Sequence, residues 1–337
     1  MDCAILSHGI NISKTELRDC CVQRESSGSP FIMEIENPEK IDLDKIFELK
    51  RKLKNEKLNN PKMCKGCLYL EENADLSWER DYISIINFDH WNICNSRCIY
   101  CSEEHNGGDF YFNVLPMIKN LVSSGRFLPT GEITFQGGEP TLLPEFEELL
   151  DIFIQNNAKI RIHSSGIKYS KSIENGIAEQ LVTLVVSPDT GKKETYETIK
   201  RNPHFDDVWD NLKKYSSFDQ ENFVKAKMLV VPHYNDSIDE IDAFVDKVKS
   251  SNVKTIVIDA EGWYSNKYGY NLPHIRFLIE YMKNLCLKNN INFECYDNAQ
   301  FVVNNQVLCQ IPTDYNEILQ QFEALKNQYI SRSVDYL

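Results

Sequence analysis

Short apolar runs alternate with longer amphipathic segments through most of the chain beyond about residue 80. Short runs bounded by polar residues favour β-strands, whereas apolar residues that recur every three or four positions favour helices. The predicted strands are 82–88, 132–136, 159–163, 181–187, 223–231 and 253–259. The predicted helices are 113–124, 145–155, 173–180, 238–248 and 272–287, with further helices in the polar connection 192–215. Repeated strand–helix alternation predicts an α/β fold with a parallel sheet.

Polar, glycine-rich or cysteine-rich segments directly follow the first four predicted strands. In order, they are 94–101, Gly137-Gly138-Glu139-Pro140, Ser164-Ser165-Gly166 and Ser187-Pro188-Asp189. The carboxyl ends of parallel strands meet at one edge of a sheet, and ligands gather there. We therefore expect these four segments to line one rim.

The first of these segments, Cys94-Asn95-Ser96-Arg97-Cys98-Ile99-Tyr100-Cys101, places three thiols within eight residues. A [4Fe–4S] cube needs one outside ligand for each iron, so three thiolates leave one iron open to a small molecule. A disulfide would leave an odd thiol over. A zinc site is the alternative, with His90 and His105 nearby, although structural zinc favours four ligands and paired CxxC spacings.

This Cx3Cx2C loop, with an aromatic residue before its last cysteine and a GGEP turn after the next strand, resembles the radical SAM superfamily. The resemblance implies a partial (β/α)6 TIM-like barrel and a [4Fe–4S] cluster on Cys94, Cys98 and Cys101. It also implies that S-adenosylmethionine completes the open iron and is cleaved reductively to a 5′-deoxyadenosyl radical, which abstracts a substrate hydrogen atom.

The resemblance also suggests residues that hold S-adenosylmethionine. Gly137 and Gly138 would let the backbone approach the methionine amino group, because neither has a Cβ. Glu139 would stabilise that cationic amine, and Pro140 would stiffen the turn. The other candidates are Tyr100 over the cluster and adenine, Ser165 and Ser187 at the ribose or carboxylate, and Lys227 at the carboxylate. A solvated edge residue is the alternative for Lys227.

Residues 1–80 differ from the rest, because they carry Cys3, the pair Cys20-Cys21 and Cys64-Lys65-Gly66-Cys67 around two strand-like runs and a helix. The runs are Gly9–Ser13 and Glu16–Arg18, and the helix is Leu43–Leu58. This order resembles the SPASM/twitch type of auxiliary cluster domain, although that domain normally follows the barrel. The implied ligands of an auxiliary [4Fe–4S] cluster are Cys3, Cys20, Cys64 and Cys67, with Cys21 as the substitute for Cys20. Structural zinc or plain core thiols are the alternatives.

The predicted barrel covers 81–290, and residues 291–337 follow as a hairpin and a closing helix. The hairpin would pair 291–296 with 301–308, between Cys295 and Cys309. Some peptide epimerases of the resembling superfamily use a cysteine to give a hydrogen atom to a substrate radical. Cys309 is our candidate for that catalytic role, and a buried structural thiol is the alternative.

Composition narrows the remaining choices. The chain has 337 residues, a formal net charge of −13 and a pI near 5.1, a balance that disfavours nonspecific binding to nucleic acid. No signal peptide or long apolar segment is evident, so we expect a soluble, cytoplasmic protein with no membrane partner. In that compartment, eleven cysteines indicate metal ligands rather than disulfides.

Together these features predict an enzyme that modifies a peptide or protein by crosslinking, epimerisation or oxidation. A dehydrogenase or epimerase acting on a sugar or another small molecule is the first alternative. An iron–sulfur electron carrier or sensor is the second, although a carrier needs neither an open iron nor a methionine pocket. A low-potential donor such as flavodoxin or ferredoxin would supply electrons.

Overall fold

The computed structural model describes residues 3–13, 15–19, 31–58, 81–101, 108, 113–260, 273–296 and 311–333. The chain forms two compact units. The first comprises residues 1–94, 102–163 and 170–183, and the second comprises 95–101, 164–169 and 184–337. Among the predicted ligands and catalytic thiols, Cys20, Cys21, Cys64, Cys67 and Cys309 lie outside the described residues.

The first unit begins with a small antiparallel arrangement beside a helix. Its elements are α1 (Ala4–His8), β1 (Gly9–Ser13), β2 (Glu16–Arg18), β3 (Phe31–Glu34) and α2 (Leu43–Leu58). Strand β2 pairs antiparallel with both β1 and β3. The two predicted strand-like runs and the predicted helix are confirmed in this stretch.

Strand β1 also pairs in parallel with the first core strand, β4 (Ile85–Asp89), from Gly9 opposite Ile85 to Ser13 opposite Asp89. The N-terminal strands therefore extend the core sheet within one compact unit. Strand β4 begins later than predicted, because Ile83 forms an isolated parallel bridge with Phe127 instead of a continuous ladder.

The remainder of the first unit alternates helices and parallel strands. The elements are α3 (Leu115–Ser123), β5 (Glu132–Phe135), α4 (Phe146–Gln155), β6 (Lys159–Ser164) and α5 (Lys171–Ala178). Strand β5 pairs in parallel with β4 and β6. The rings of Phe88 and Phe135 stack at 4.7 Å, and Phe153 of α4 packs against both. This aromatic cluster fixes α4 against the strands that precede the site.

The second unit repeats the same alternation. Its strands are β7 (Val182–Val186, of which the first two residues belong to the first unit), β8 (Val224–Val230), β9 (Thr255–Ala260) and β10 (Asn292–Cys295). Its helices are α6 (Lys193–Lys200), α7 (Phe205–Ser216), α8 (Ile238–Ser250), α9 (Pro273–Lys288) and α10 (Tyr315–Ser333). Strands β7 to β10 pair in parallel in chain order. The first arm of the predicted C-terminal hairpin is thus a parallel strand next to β9, and its second arm lies outside the described residues.

Strand β8 illustrates how the sequence sets these elements. Val224, Ala226, Met228 and Val230 are buried, while the alternate residues, Lys225, Lys227 and Leu229, are half-buried on the opposite face. Helix α8 begins at a serine cap, because Ser237 accepts a hydrogen bond from the Glu240 amide.

The fold is mixed α/β with a parallel sheet, consistent with the predicted partial TIM-like barrel. None of the described helices combines the length and the apolar character needed to cross a bilayer.

Candidate functional site

In the first unit, the GGEP turn is hydrogen-bonded to the segment that leads into Cys94. The Gly138 amide donates to the Trp91 carbonyl at 2.6 Å, and the Glu139 amide donates to the Ile93 carbonyl at 2.8 Å. The turn after β5 therefore fixes the backbone directly before the first cysteine of the loop.

These contacts explain why both turn positions are glycine. A Cβ on Gly138 would lie 2.4 Å from the Ile93 carbonyl oxygen, closer than atoms can approach without movement. Gly137 has a φ of +95°, and its Cβ would lie 2.6 Å from the Trp91 oxygen. The approach of backbone to backbone is thus sufficient to require the glycines. Their predicted role beside the methionine amine stays a prediction.

Glu139 is held by the turn that it begins. Its Oε1 accepts hydrogen bonds from the Thr141 hydroxyl at 2.7 Å and from the Thr141 amide at 3.2 Å, and only 1% of the residue is exposed. It caps a short 3₁₀ turn, Pro140–Leu142, in which Pro140 occupies the first turn. A carboxylate held this firmly suits the predicted contact with a cationic group, which stays a prediction.

In the second unit, the loop that carries Cys98 and Cys101 is attached to the C-terminal turn of α6. The Arg97 and Ile99 amides donate to the carbonyls of Lys200 and Ile199, both at 3.0 Å. The last carbonyls of a helix have no partner inside that helix, and the loop supplies partners for two of them. The cysteine loop is therefore anchored by backbone hydrogen bonds.

Side chains reinforce this anchor. Asn202 Nδ2 donates to Ser96 Oγ at 2.9 Å, and Ser165 Oγ donates to Asn95 Oδ1 at 2.9 Å. Ser165, a predicted ligand of the cofactor, thus also ties the segment after β6 to the cysteine loop. The amide of Ser187, the other predicted serine, donates to the Ser164 carbonyl at 3.2 Å.

A polar cluster of the half-buried Tyr100 and the buried Asp189 and Lys200 lies beside Cys98. The Tyr100 hydroxyl donates to Asp189 Oδ2 at 2.6 Å, and Lys200 Nζ donates to the Tyr100 oxygen at 2.6 Å and also to Asp189 Oδ2. Burial, then the Asp189 charge and Cys98, raise the pKa of Tyr100 well above its usual value, so the phenol stays protonated.

Asp189 connects this cluster to the sheet. Its Oδ1 accepts from the Leu229 amide at 2.9 Å, and its backbone carbonyl accepts from Asn235 Nδ2 at 2.7 Å. Its φ of +63° is left-handed, a conformation that Asp tolerates better than most residues. Asp189 was part of the predicted rim, but its role was not predicted.

Lys200 and Asn202 were missed by the sequence reasoning. A lysine in the last turn of a helix is ordinarily explained by the helix dipole and by solvent. Nothing in the local pattern signals that Lys200 is 4% exposed and joined to Asp189 and Tyr100.

Lys227 lies on the half-buried face of β8. Its Nζ is 3.5 Å from an Asp259 carboxylate oxygen and 5.3 Å from the centroid of the Tyr296 ring. It is therefore a semi-enclosed, paired lysine rather than a solvated edge residue. Its predicted contact with a cofactor carboxylate stays a prediction.

Cys3 and Cys295 are two of the three described cysteines outside the loop, and Cys286 is the third. Cys3 is buried, and its carbonyl accepts from the Ser7 amide at the start of α1. Cys295, at the end of β10, is half-buried, and burial raises its pKa to about 11. Cys295 therefore remains a thiol at neutral pH.

The donor chemistry of the loop, three thiols, is of the kind that a [4Fe–4S] cluster takes. Cys94, Cys98 and Cys101 are all half-buried. Within the described residues, no three His, Cys, Asp or Glu side chains are grouped closely enough to hold one metal ion. Three thiolates can each bind a different iron of a cube and leave the fourth iron open.

Sequence relatives match about half of the chain. The GTP 3′,8-cyclase of Clostridium botulinum strain Okra is 25% identical over 179 residues, covering 49% of this chain and 53% of the relative. The mycofactocin maturase MftC of Mycolicibacterium smegmatis is 22% identical over 170 residues, covering 50% and 40%. The chain thus spans about half the length of these curated relatives.

Similarity of fold extends further along the chain. The Streptococcus suis SuiB structure bound to S-adenosylmethionine has a TM-score of 0.54 and covers 89% of this chain and 74% of SuiB, at 14% identity. SuiB bound to its precursor peptide SuiA has a TM-score of 0.52 and covers 86% and 71%. At this identity the likeness concerns the fold.

The family model of the radical SAM superfamily matches residues 88–258, about half of the chain. The match includes the cysteine loop, the GGEP turn and the strands from the end of β4 to most of β9. The chain therefore belongs to the radical SAM superfamily and is an enzyme of that family, whose members use a [4Fe–4S] cluster and S-adenosylmethionine.

Proposed function

We propose that the chain binds its [4Fe–4S] cluster through Cys94, Cys98 and Cys101 and modifies a peptide or protein. The observation that carries the cluster assignment is the anchoring of the loop. Cys94 follows a segment bonded to the GGEP turn, and Cys98 belongs to a segment bonded to the end of α6. Three thiols on a braced loop are the ligand set that leaves one iron open.

When bound, the cluster would supply the electron for reductive cleavage of S-adenosylmethionine to a 5′-deoxyadenosyl radical, which would take a hydrogen atom from the substrate. The chain's own residues would hold and orient S-adenosylmethionine. Glu139 is available to the methionine amine, Ser165 and Ser187 to the ribose or carboxylate, and Lys227 to the carboxylate. Tyr100, whose pKa is raised so that its phenol stays protonated, would cover the cluster and offer its backbone to the adenine.

A peptide substrate is supported by the fold likeness to SuiB, which was crystallised with a precursor peptide, along 86% of the chain. The name of the MftC relative, a maturase, agrees with this class. The reaction would be a crosslink, an epimerisation or an oxidation, with Cys309 as the candidate hydrogen-atom donor and flavodoxin or ferredoxin as the electron source.

Small-molecule chemistry is the second candidate, because the GTP 3′,8-cyclases share 25% identity with about half of this chain. We also propose an auxiliary [4Fe–4S] cluster on Cys3, Cys20, Cys64 and Cys67, whichever substrate class is correct. Such a cluster would accept an electron from the substrate radical or anchor the peptide.

The cluster assignment is tested anaerobically. Reconstituted protein, reduced with dithionite and given S-adenosylmethionine, should form 5′-deoxyadenosine, and Cys98→Ser should abolish it. Cys286→Ala is the matched control, since Cys286 is buried in α9 outside the loop. Equal 5′-deoxyadenosine from Cys98→Ser and the control would contradict the assignment.

The substrate class needs a separate measurement. Short peptides encoded beside the gene, co-expressed with the enzyme, should change mass only when the loop cysteines are intact. GTP is the competing probe in the purified system. Faster 5′-deoxyadenosine formation with GTP, and no mass change in any peptide, would favour the small-molecule candidate.

A further inference from the structure

In the Tyr100–Asp189–Lys200 cluster, the negatively charged Asp189 side chain anchors the cysteine loop to strand β8. Asp189 is completely buried, and its carboxylate holds both the Leu229 amide of β8 and the Tyr100 hydroxyl of the cysteine loop. A buried carboxylate accepting several hydrogen bonds is a strong structural tie. It is also a full negative charge in a region of low dielectric constant, where charges act over longer distances than in water.

Lys200 supplies the opposite charge at this position. Its Nζ donates to the same Asp189 oxygen and to the Tyr100 oxygen, and it lies 5.1 Å from the Tyr100 ring centroid. Helix α6 brings the lysine there with its last turn, the turn whose carbonyls also hold the cysteine loop. The C-terminal end of α6 therefore positions the cysteine loop through its carbonyls and neutralises the charge of Asp189 through Lys200.

This arrangement matters because of what lies next to it. The amides of Arg97 and Ile99, on either side of Cys98, bond to the last turn of α6, and the Tyr100 side chain bonds to both members of the charged pair, so the pair lies next to the segment that carries Cys98. Reduction of a cluster on Cys98 adds one electron without adding a proton. An uncompensated carboxylate nearby would oppose that electron, and an uncompensated ammonium would favour it.

We propose that Lys200 is a positioning residue that cancels the charge of Asp189, so that the loop can be anchored by a carboxylate without making the cluster harder to reduce. The inference rests on the proposed function only in that Cys98 is taken as a cluster ligand. It assigns to α6 a role in setting the reduction potential of the cluster.

The test is an EPR-monitored redox titration of the reconstituted protein with dithionite and mediators, without S-adenosylmethionine. Lys200→Met should leave Asp189 uncompensated and lower the equilibrium constant for one-electron reduction by about tenfold, which is a shift of about 59 mV to more negative potential. Asp189→Asn should shift the potential in the opposite direction. The double variant should return close to wild type.

Lys193→Met is the control, because Lys193 lies on the same helix and pairs with Asp206 at 2.8 Å on the surface. It should not move the potential. If Lys200→Met fails to retain iron, the direction of the Asp189→Asn shift and its reversal in the double variant decide the question. Wild-type potentials in both single variants, or shifts in the same direction, would overturn the inference.

Failure of the inference is distinguishable from failure of the proposed function. If Cys98→Ser retains the wild-type EPR signal, Cys98 is not a ligand, and both ideas fall. If Cys98→Ser loses the signal while the charge variants keep the wild-type potential, the cluster assignment stands and only the role of Lys200 is wrong.

Discussion

Single residues in this protein are constrained most tightly where backbone meets backbone. Gly138 is such a case next to the cysteine loop, because the groups that would clash with a side chain are the carbonyl and carbon atoms of residues 92 and 93. Backbone atoms cannot swing aside as the end of a flexible side chain can. The position therefore couples the GGEP turn to the placement of Cys94.

Gly138→Ala should destabilise the protein by about 1–3 kcal/mol, the usual cost of forcing an extra methyl into a packed region. It should also reduce the iron retained after reconstitution, since relief of the clash would displace the segment before Cys94. Urea denaturation and iron analysis measure the two effects.

Gly125→Ala is the comparison for that substitution. Gly125 has a φ of +69°, but an added Cβ there has nothing within 4 Å. It should lose some stability through backbone strain and keep all of its iron. Equal iron loss in both variants would mean that the close approach at Gly138 does not position Cys94.

His90 predicts a dependence of stability on pH. Burial lowers its pKa from 6.5 to about 4, because the charged ring would be desolvated. The unfolded chain therefore takes up a proton between about pH 6.5 and 4 that the folded chain refuses. The contribution of His90 is fully present above the unfolded pKa and is lost as the pH falls towards 4.

By about pH 5 the loss should be on the order of 2 kcal/mol. His90→Phe keeps a ring against Phe88 and removes the titrating nitrogens, so its free energy of unfolding should fall less between about pH 7 and 5. His204→Gln, at an exposed histidine paired with Asp207, should retain the wild-type pH slope. An unchanged slope in His90→Phe would contradict the assignment.

At the scale of elements, buried lysines tie helix α2 to the strands beside it. Lys50 is completely buried, pairs with Asp19 and donates to the Gly9 carbonyl at 2.6 Å. One turn later, Lys54 donates to Ser7 Oγ at 2.7 Å. Residues four apart share a helix face, so one face of α2 holds α1, the start of β1 and the residue after β2.

Lys50→Met should cost about 3–5 kcal/mol of unfolding free energy, because it leaves the Asp19 carboxylate buried without its charge partner. Lys45→Met is the matched variant on the same helix, where an exposed lysine pairs with Glu48 at 3.1 Å. It should change stability by less than about 1 kcal/mol. Similar losses in both variants would show that the burial of the Lys50 pair has no energetic consequence.

At the scale of the whole molecule, the proposed function predicts the number of iron–sulfur clusters in the chain. With a cluster on the loop and another on the N-terminal cysteines, the reconstituted protein should hold about eight irons per chain, at four per cube. The triple variant Cys94→Ala/Cys98→Ala/Cys101→Ala should hold about four. Iron and sulfide analysis, with Cys286→Ala as the control, measures this. A triple variant without iron would rule out an independent N-terminal cluster.

Much of the secondary structure was predictable because each strand and helix follows from the pattern of apolar residues within a short stretch of sequence. The six predicted core strands and the helices between them are found, with boundaries shifted by a few residues, since apolar periodicity reports the buried face of each element. The cysteine spacing and the GGEP turn likewise indicated the family, because ligand number and glycine placement are local properties of the chain.

Tertiary structure decided which distant segments meet. No local pattern states that β1 pairs in parallel with β4, that Gly138 touches the Ile93 carbonyl, or that Lys200 reaches Asp189 and Tyr100. Such contacts depend on loop closure and on the burial of charges, and these are properties of the packed chain rather than of a window of residues. The sequence by itself determined the elements and the thiol loop, whereas packing determined what braces that loop and which charges surround it.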